Sequence, residues 1–225
     1  MSRTITPSFV PPASAEAAGS NVEAALPQIR RKGKRPWWVR GRAVIGLTVL
    51  LPFAVAAVLL PPCAERGSPG AIAWDSVGWV LLLAGTAVRF WATLYLGGHK
   101  GHCLISEGPY SVCRNPLYLG TFLITLSIAA FVQSPVFALG ITLALLAYLP
   151  PTVAFEESQL RERLGPDYVE YCRRVPRFWP RWSGFRSRPT IDLDLHALRI
   201  ECIRAARWAA IPIIAQLVSY LRAVG

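Results

Sequence analysis

The chain has 225 residues, of which 53% are hydrophobic and 16% charged, yet its formal net charge is +11. A soluble globular domain carries closer to about 25% charged residues, so the deficit argues against an ordinary water-soluble fold and points to lipid. A basic chain can also bind nucleic acid, but here the basic residues flank apolar runs, which is the pattern of membrane orientation rather than of a nucleic-acid groove, so no nucleic-acid partner is expected.

Residues 1–29 are rich in Ala, Pro, Ser and Glu and lack apolar periodicity. They read as a disordered tail, and no positive start leads into an apolar core as in a secretory signal. The basic block Arg30, Arg31, Lys32, Lys34, Arg35, Arg40 and Arg42 follows, with Trp37 and Trp38 inside it. Tryptophan beside Arg and Lys suits the headgroup layer. Residues 1–36 are taken as the basic N-terminal tail.

The first apolar run is 43–60, interrupted by Pro52. A crossing helix needs about 20 apolar residues and as few as about 17, so this run qualifies. Pro61, Pro62, Gly67, Pro69 and Gly70 then mark a turn. The second run, 71–97, holds Asp75 near one end and Arg89 about two turns from the other. An intramembrane arginine reads either as functional or as snorkelling to the interface. These two helices form a 37–97 unit. Residues 98–116 are polar and turn-rich. The third run, 117–132, and the fourth, 135–155, are separated by Gln133 and Ser134 alone, which forces an antiparallel hairpin. Residues 156–189 are charged and aromatic, and 98–189 is taken as the functional core. A last stretch, 195–222 within 190–225, is apolar from Trp208 to Leu221 and carries Pro212. It reads equally as an interfacial helix or a fifth crossing. The expected fold class is therefore all-α, a polytopic membrane bundle of about four crossings plus that C-terminal helix.

With four crossings, the N-terminal block, 98–116 and 156–189 share one side. The last of these carries Arg161, Arg163, Arg173, Arg174, Arg177, Arg181, Arg186 and Arg188, whereas the opposite loops carry only Arg66. The positive-inside bias places the N-terminus and both polar segments in the cytoplasm. Cys63, Cys103, Cys113, Cys172 and Cys202 form no CxxC pair, and His99, His102 and His196 form no HExxH, so no disulfide framework and no metal are expected.

Two polar segments thus meet at the cytoplasmic helix ends. In the first, Gly108-Pro109 and Asn115-Pro116 mark turns, and Pro116 can open the third helix at its first position. A helix start suits an anionic group, and Arg114 adds a cationic fork beside it. Tyr110 and Tyr118 add ring faces and hydroxyls. The second segment opens with Glu156 and Glu157 as the fourth helix leaves the membrane. These read equally as a site or as a solvated face in which Glu157 pairs with Arg161 four residues on.

Gly108-Pro109-Tyr110, Arg114-Asn115-Pro116-Leu117-Tyr118-Leu119-Gly120, Glu156-Glu157-Ser158-Gln159-Leu160, and Leu164-Gly165 through Tyr168 and Tyr171 to Arg174-Val175-Pro176-Arg177-Phe178-Trp179-Pro180 stand in this order. Together they resemble the isoprenylcysteine carboxyl methyltransferase family and the related phospholipid methyltransferases, over residues 98–180. The resemblance implies an S-adenosylmethionine-dependent methyltransferase built of membrane helices, consistent with the lack of a strand–GxGxxG–helix unit. It implies cofactor contacts from His102, Cys103, Leu104, Ile105, Tyr110, Asn115, Pro116, Leu117, Tyr118 and Glu156, with Arg114 and Glu157 serving the chemistry. Two positions depart: Asn115 stands where the family commonly has His, and Thr152 where prenylcysteine enzymes tend to carry Arg.

The implied reaction is in-line displacement on the methyl of the cofactor, in which positioning and exclusion of water do most of the work. A carboxylate nucleophile needs no base, whereas an amine needs a proton acceptor such as Glu157 or His99. The expected acceptor is a lipophilic or prenylated small molecule, met at the cytoplasmic face of a bacterial inner membrane amid membrane lipid and with no obligate protein partner. Methylation of a phospholipid or other small molecule is the alternative within enzymes. A non-enzymatic membrane scaffold is the alternative outside them.

Overall fold

The computed structural model describes residues 37–65, 67–96, 104–187, 191 and 193–224. Within them the chain is all-helical. Helix α1 spans Trp37–Leu59, α2 Pro69–Leu96, α3 Pro116–Val132, α4 Pro135–Arg174, α5 Leu195–Trp208 and α6 Ile211–Val224. A single helical turn, Pro109–Val112, and a 3-10 turn, Trp182–Gly184, punctuate the polar segments. The expectations placed on residues 1–36, on His99 and on Arg66 and Arg188 lie outside the described residues.

Helices α2 and α4 are long and apolar enough to cross a bilayer, and the apolar stretches Val44–Leu59 and Pro116–Val132 are shorter. The same length and hydropathy would suit the core helix of a soluble protein, so burial decides between them. Only 22% and 28% of the most apolar windows of α2 and α4 are buried. Leu47, Val80, Leu83 and Leu146 are each more than 60% exposed. So much contiguous exposed apolar surface needs a covering phase, and the length of these helices makes that phase a bilayer. The protein is an integral membrane protein.

Two antiparallel pairs make the bundle. In the first, Gly85 of α2 lies against Gly120 of α3: a Cβ on either would come within 2.7 Å of the other's carbonyl oxygen. Helices approach this closely only where side chains are absent. From that contact the register runs outward in opposite senses, with Gly78 against Phe131 and Asp75 hydrogen-bonded by the Gln133 amide at 3.3 Å. Asp75 is thus held at the far end of the pair. In the second pair, α1 runs along α4, with Phe53 filling the space above Gly140 and Tyr148 beside Gly46.

The connection of α3 to α4 is the hairpin expected from its length. Gln133 takes a left-handed conformation at φ 52°, and Ser134 caps α4 by accepting from Phe137 N at 3.2 Å. This arrangement sends the start of α1, the end of α2, the start of α3 and the end of α4 to the same end of the bundle. The two polar segments therefore emerge together.

Helix α4 outruns its expected membrane span. It continues past Glu156 and Glu157 to Arg174, with a break at Gly165, where φ is 59° and ψ −137°. Glycine adopts that conformation without a Cβ penalty, and Pro166 restarts the helix with a φ already suited to it. The second part packs Tyr168, Tyr171 and Val175 into a small core with Leu104, Leu160 and Leu164.

The C-terminal stretch is two helices, α5 and α6, with the break just before Pro212. Ala215 of α6 shares a core cluster with Ala57, Leu82, Ile124, Phe131 and Val132, and Trp208 and Ile211 pack against it. The segment therefore enters the apolar layer beside α3, and α5 is the part that lies at the polar end.

Candidate functional site

The site is built on the first turn of α3. Pro116 occupies its first position, and Asn115 is the N-cap residue, although its side chain caps nothing. Instead the Asn115 amide donates to Glu157 Oε1 at 3.3 Å and to the Arg177 carbonyl at 3.0 Å. One amide thus joins the start of α3, the charged part of α4 and the segment that follows α4.

Glu157 is 6% exposed. Arg177 grips it as a fork, with Nη2 at 2.6 Å and Nε at 3.1 Å from Oε2 and Nε at 3.2 Å from Oε1. Arg114 approaches the other oxygen, with Nη1 at 3.4 Å from Oε1. Burial alone would raise the Glu157 carboxyl, but the Arg177 hydrogen bonds, the positive charges of Arg114 and Arg177 and the Asn115 bond outweigh it and hold the carboxyl below the usual range. The Arg177 guanidinium is correspondingly raised, chiefly by its bond to Glu157. The helix pair with Arg161 is not the partnership Glu157 makes.

Glu156, one residue earlier, points elsewhere. It is exposed, and its Oε1 accepts from the Tyr118 hydroxyl at 2.8 Å. Of the adjacent carboxylates, one is therefore neutralised inside and one is open to solvent beside the first turn of α3.

Tyr110 is held from behind: the Tyr171 hydroxyl donates to its carbonyl at 2.8 Å. The Tyr110 hydroxyl and the Arg114 Nε are buried and make no hydrogen bond to the described residues. Burial pushes the Tyr110 hydroxyl far up, so it stays protonated as a donor. A buried polar atom without a partner costs about 1–3 kcal/mol, so the Arg114 Nε, on the side chain that meets Glu157, marks a place where a polar ligand can be received.

Segment 108–114 is tied along its length to the chain after α4. Arg114 N donates to the Pro176 carbonyl at 2.9 Å, Arg181 N to Val112 at 3.1 Å and Gly108 N to Arg186 at 2.6 Å. Gly108 has φ 58°, and a Cβ there would collide with the Tyr95 ring, so the turn needs glycine both for its conformation and for room.

Of the residues expected at the site, Asn115, Tyr118, Glu156, Glu157 and Arg114 come together, with Tyr110 beside them. Leu104 packs against the Tyr168–Tyr171 core, and Ile105 is half-buried next to it in sequence. Pro116 is buried and Leu117 half-buried, and the Leu117 carbonyl faces α2, where it accepts from Arg89 Nη1 at 3.3 Å. His102 and Cys103 lie outside the described residues. No cluster of metal-ligating side chains occurs among the described residues.

Sequence reasoning missed three parts. Arg177 stands in the recognised run, but spacing does not say which arginine of that segment turns inward. Tyr171 likewise reads as an aromatic in a pattern, not as the support of Tyr110. Arg89, which in sequence reads as functional or as snorkelling, is ion-paired inside the fold. Its Nε lies 2.6 Å from Glu201 Oε1 and its Nη2 3.2 Å from Oε2, its Nη1 donates to Thr121 Oγ1 at 2.6 Å, and its guanidinium lies 4.9 Å from the Trp208 ring centre. Glu201 was invisible in the sequence because its partner is 112 residues away.

A family model described as phospholipid methyltransferase matches residues 74–167. Among curated proteins, the nickel-cobalt-cadmium resistance protein NccN of Alcaligenes xylosoxydans xylosoxydans is 38% identical over 115 residues, which are 51% of this chain and 54% of that protein. The cobalt-zinc-cadmium resistance protein CzcN of Cupriavidus metallidurans is 32% identical over 142 residues, 63% of this chain and 65% of its own length. The protein-S-isoprenylcysteine O-methyltransferase of Xenopus laevis is 30% identical over 129 residues, 52% of this chain and 45% of that enzyme. The chain thus spans between 45% and 65% of the length of these three relatives. No solved structure matches it.

Proposed function

We propose that this chain, which over residues 74–167 matches the phospholipid methyltransferase family model, is an S-adenosylmethionine-dependent methyltransferase. It would act on a lipophilic acceptor at the cytoplasmic face of a bacterial inner membrane. The observation that carries the reading is the pairing at the start of α3: a solvent-open carboxylate, Glu156, held by Tyr118, with the buried Arg114 nearby, whose Nε makes no hydrogen bond to the described residues. A zwitterionic amino acid moiety fits that pairing, with its ammonium toward Glu156 and its carboxylate toward Arg114 and the first turn of α3.

When bound, the cofactor would supply an electrophilic methyl on a sulfonium. The chain's own residues then do the following. Glu157 neutralises and orients Arg114, because two guanidinium groups and an amide already occupy its oxygens. A carboxylate held in that way is a poor proton acceptor, so the geometry favours Glu157 as an anchor. Tyr171 fixes the Tyr110 backbone, and Tyr118 fixes Glu156. The apolar bundle keeps the acceptor out of water, which favours a displacement in which opposite charges cancel.

The acceptor reading that the structure supports best is a phospholipid or other small lipophilic molecule. Thr152 is 1% exposed and spends its hydroxyl on the Tyr148 carbonyl at 2.5 Å, so no cation stands there to meet a prenylcysteine carboxylate. Product mass from methyl-labelled cofactor, with phosphatidylethanolamine in one reaction and a prenylcysteine analogue in the other, separates the two. Label in the prenylcysteine analogue alone contradicts this choice of acceptor.

Glu156→Ala is expected to weaken S-adenosylhomocysteine binding by about 1.5–3 kcal/mol, the range for hydrogen bonds to charged groups, with little effect on folding because the side chain is exposed. Titration calorimetry of the purified variant reads this directly. Unchanged affinity removes Glu156 from the site.

A further inference from the structure

The segment from Pro176 to Ser187 has a second face that the methyltransferase reading does not use. Trp179 is 85% exposed, Trp182 65% and Phe185 48%. Such exposure of three aromatic side chains within seven residues is unusual on a water-facing surface. Arg181 and Arg186 alternate with them and are exposed.

The position of this strap relative to the bilayer follows from α2. Val80 and Leu83 are 66% and 63% exposed, and Ala84 and Ala87 continue the exposed stripe. At helical spacing the next residue on that lipid-facing stripe is Trp91. Trp182 stacks on Trp91 with ring centres 6.1 Å apart and planes 9° from parallel, and Phe185 packs on the same ring at 6.1 Å. Tyr95, one turn further, shares a 2.8 Å hydrogen bond with Ser187. The strap therefore covers the last turns of a lipid-facing stripe, at the end of the helix where the charged segments emerge. Tryptophan and arginine together at that depth are what the headgroup layer accommodates.

We propose that Trp179, Trp182 and Phe185, with Arg181 and Arg186, form a docking surface for the anionic headgroups of the surrounding leaflet. The aromatic rings sit among the upper acyl chains and glycerol groups, and the two guanidinium groups meet the phosphates. The opposite edge of the strap bonds to Gly108, Ser111 and Val112. Headgroup docking therefore sets the height of segment 108–114 above the bilayer. The inference rests on the membrane reading and not on methyl transfer.

The test uses the full chain in nanodiscs of phosphatidylcholine mixed with phosphatidylglycerol. Lipids brominated near the top of the acyl chain should quench less of the total tryptophan fluorescence in Trp179→Phe/Trp182→Phe than in the wild type. Retention of phosphatidylglycerol through detergent purification, read by native mass spectrometry, should fall roughly thirtyfold in Arg181→Gln/Arg186→Gln. It should be unchanged in Arg161→Gln/Arg163→Gln, a control pair on α4. Equal bromolipid quenching in the wild type and the tryptophan variant, or equal retention in both arginine pairs, overturns the proposal.

Discussion

Glu157→Ala is expected to lower the stability of the folded protein by about 3 kcal/mol, near the lower end for breaking a buried ion pair, and to remove measurable S-adenosylhomocysteine binding. The reason lies in what is left behind. Arg114, with its side chain 15% exposed, would keep its charge without the carboxylate that neutralises it. Arg177 is 39% exposed and can turn to water, which is why the larger end of the range is not expected. Asn115 would lose one of its two acceptors, and the first turn of α3 its link to α4.

The pH dependence follows from the lowered carboxyl of Glu157. A carboxylate with a depressed folded-state pKa contributes stability that is present above its ordinary value of 4.5 and is lost as pH falls through the lower folded-state value. Glu157→Gln does not titrate. The stability difference between wild type and Glu157→Gln should therefore be constant at neutral pH and shrink in acid below about 4.5. Thermal unfolding in detergent across that range reads both. A difference that instead collapses between pH 6 and 7 shows a raised carboxyl and returns Glu157 to the role of proton acceptor.

Arg89→Ala is expected to be still more damaging to the fold, by about 3–5 kcal/mol. Glu201 is 1% exposed; among the described residues, without Arg89 it would retain only Arg204, at 3.0 Å. Helix α5 would lose its main tie to α2 and α3, and limited proteolysis should release the C-terminal segment. Replacing both partners by apolar residues, Arg89→Met with Glu201→Leu, removes the uncompensated charge and should recover most of the loss. If the double variant is as unstable as the single one, the pair does more than hold α5 in place.

The helices were legible because their signals are local. Apolar runs of membrane length, the two-residue turn at Gln133-Ser134 and the proline at the start of α3 each act within a few residues. The run of Arg174 to Pro180 was legible as a pattern, and with it the family resemblance. What stayed hidden is set by pairing across the bundle. No spacing rule links Arg89 to Glu201, or tells Arg177 from Arg173 and Arg174. Glu157 shows where local reasoning stops: the helical distance offers Arg161 as an exposed partner and leaves the site reading equally open, yet the carboxylate turns inward because three donors from other segments converge on it. The continuation of α4 past the membrane was masked by its charge. The second part of that helix is held by Tyr168 and Tyr171, which read in sequence as motif letters and not as a core.

The most direct measurement is titration calorimetry of S-adenosylhomocysteine into the purified, folded wild-type protein in detergent. The account predicts one saturable site, weakened in Glu156→Ala and absent in Glu157→Ala. A folded sample that gives no binding heat and no thermal shift contradicts it and leaves the chain a membrane scaffold.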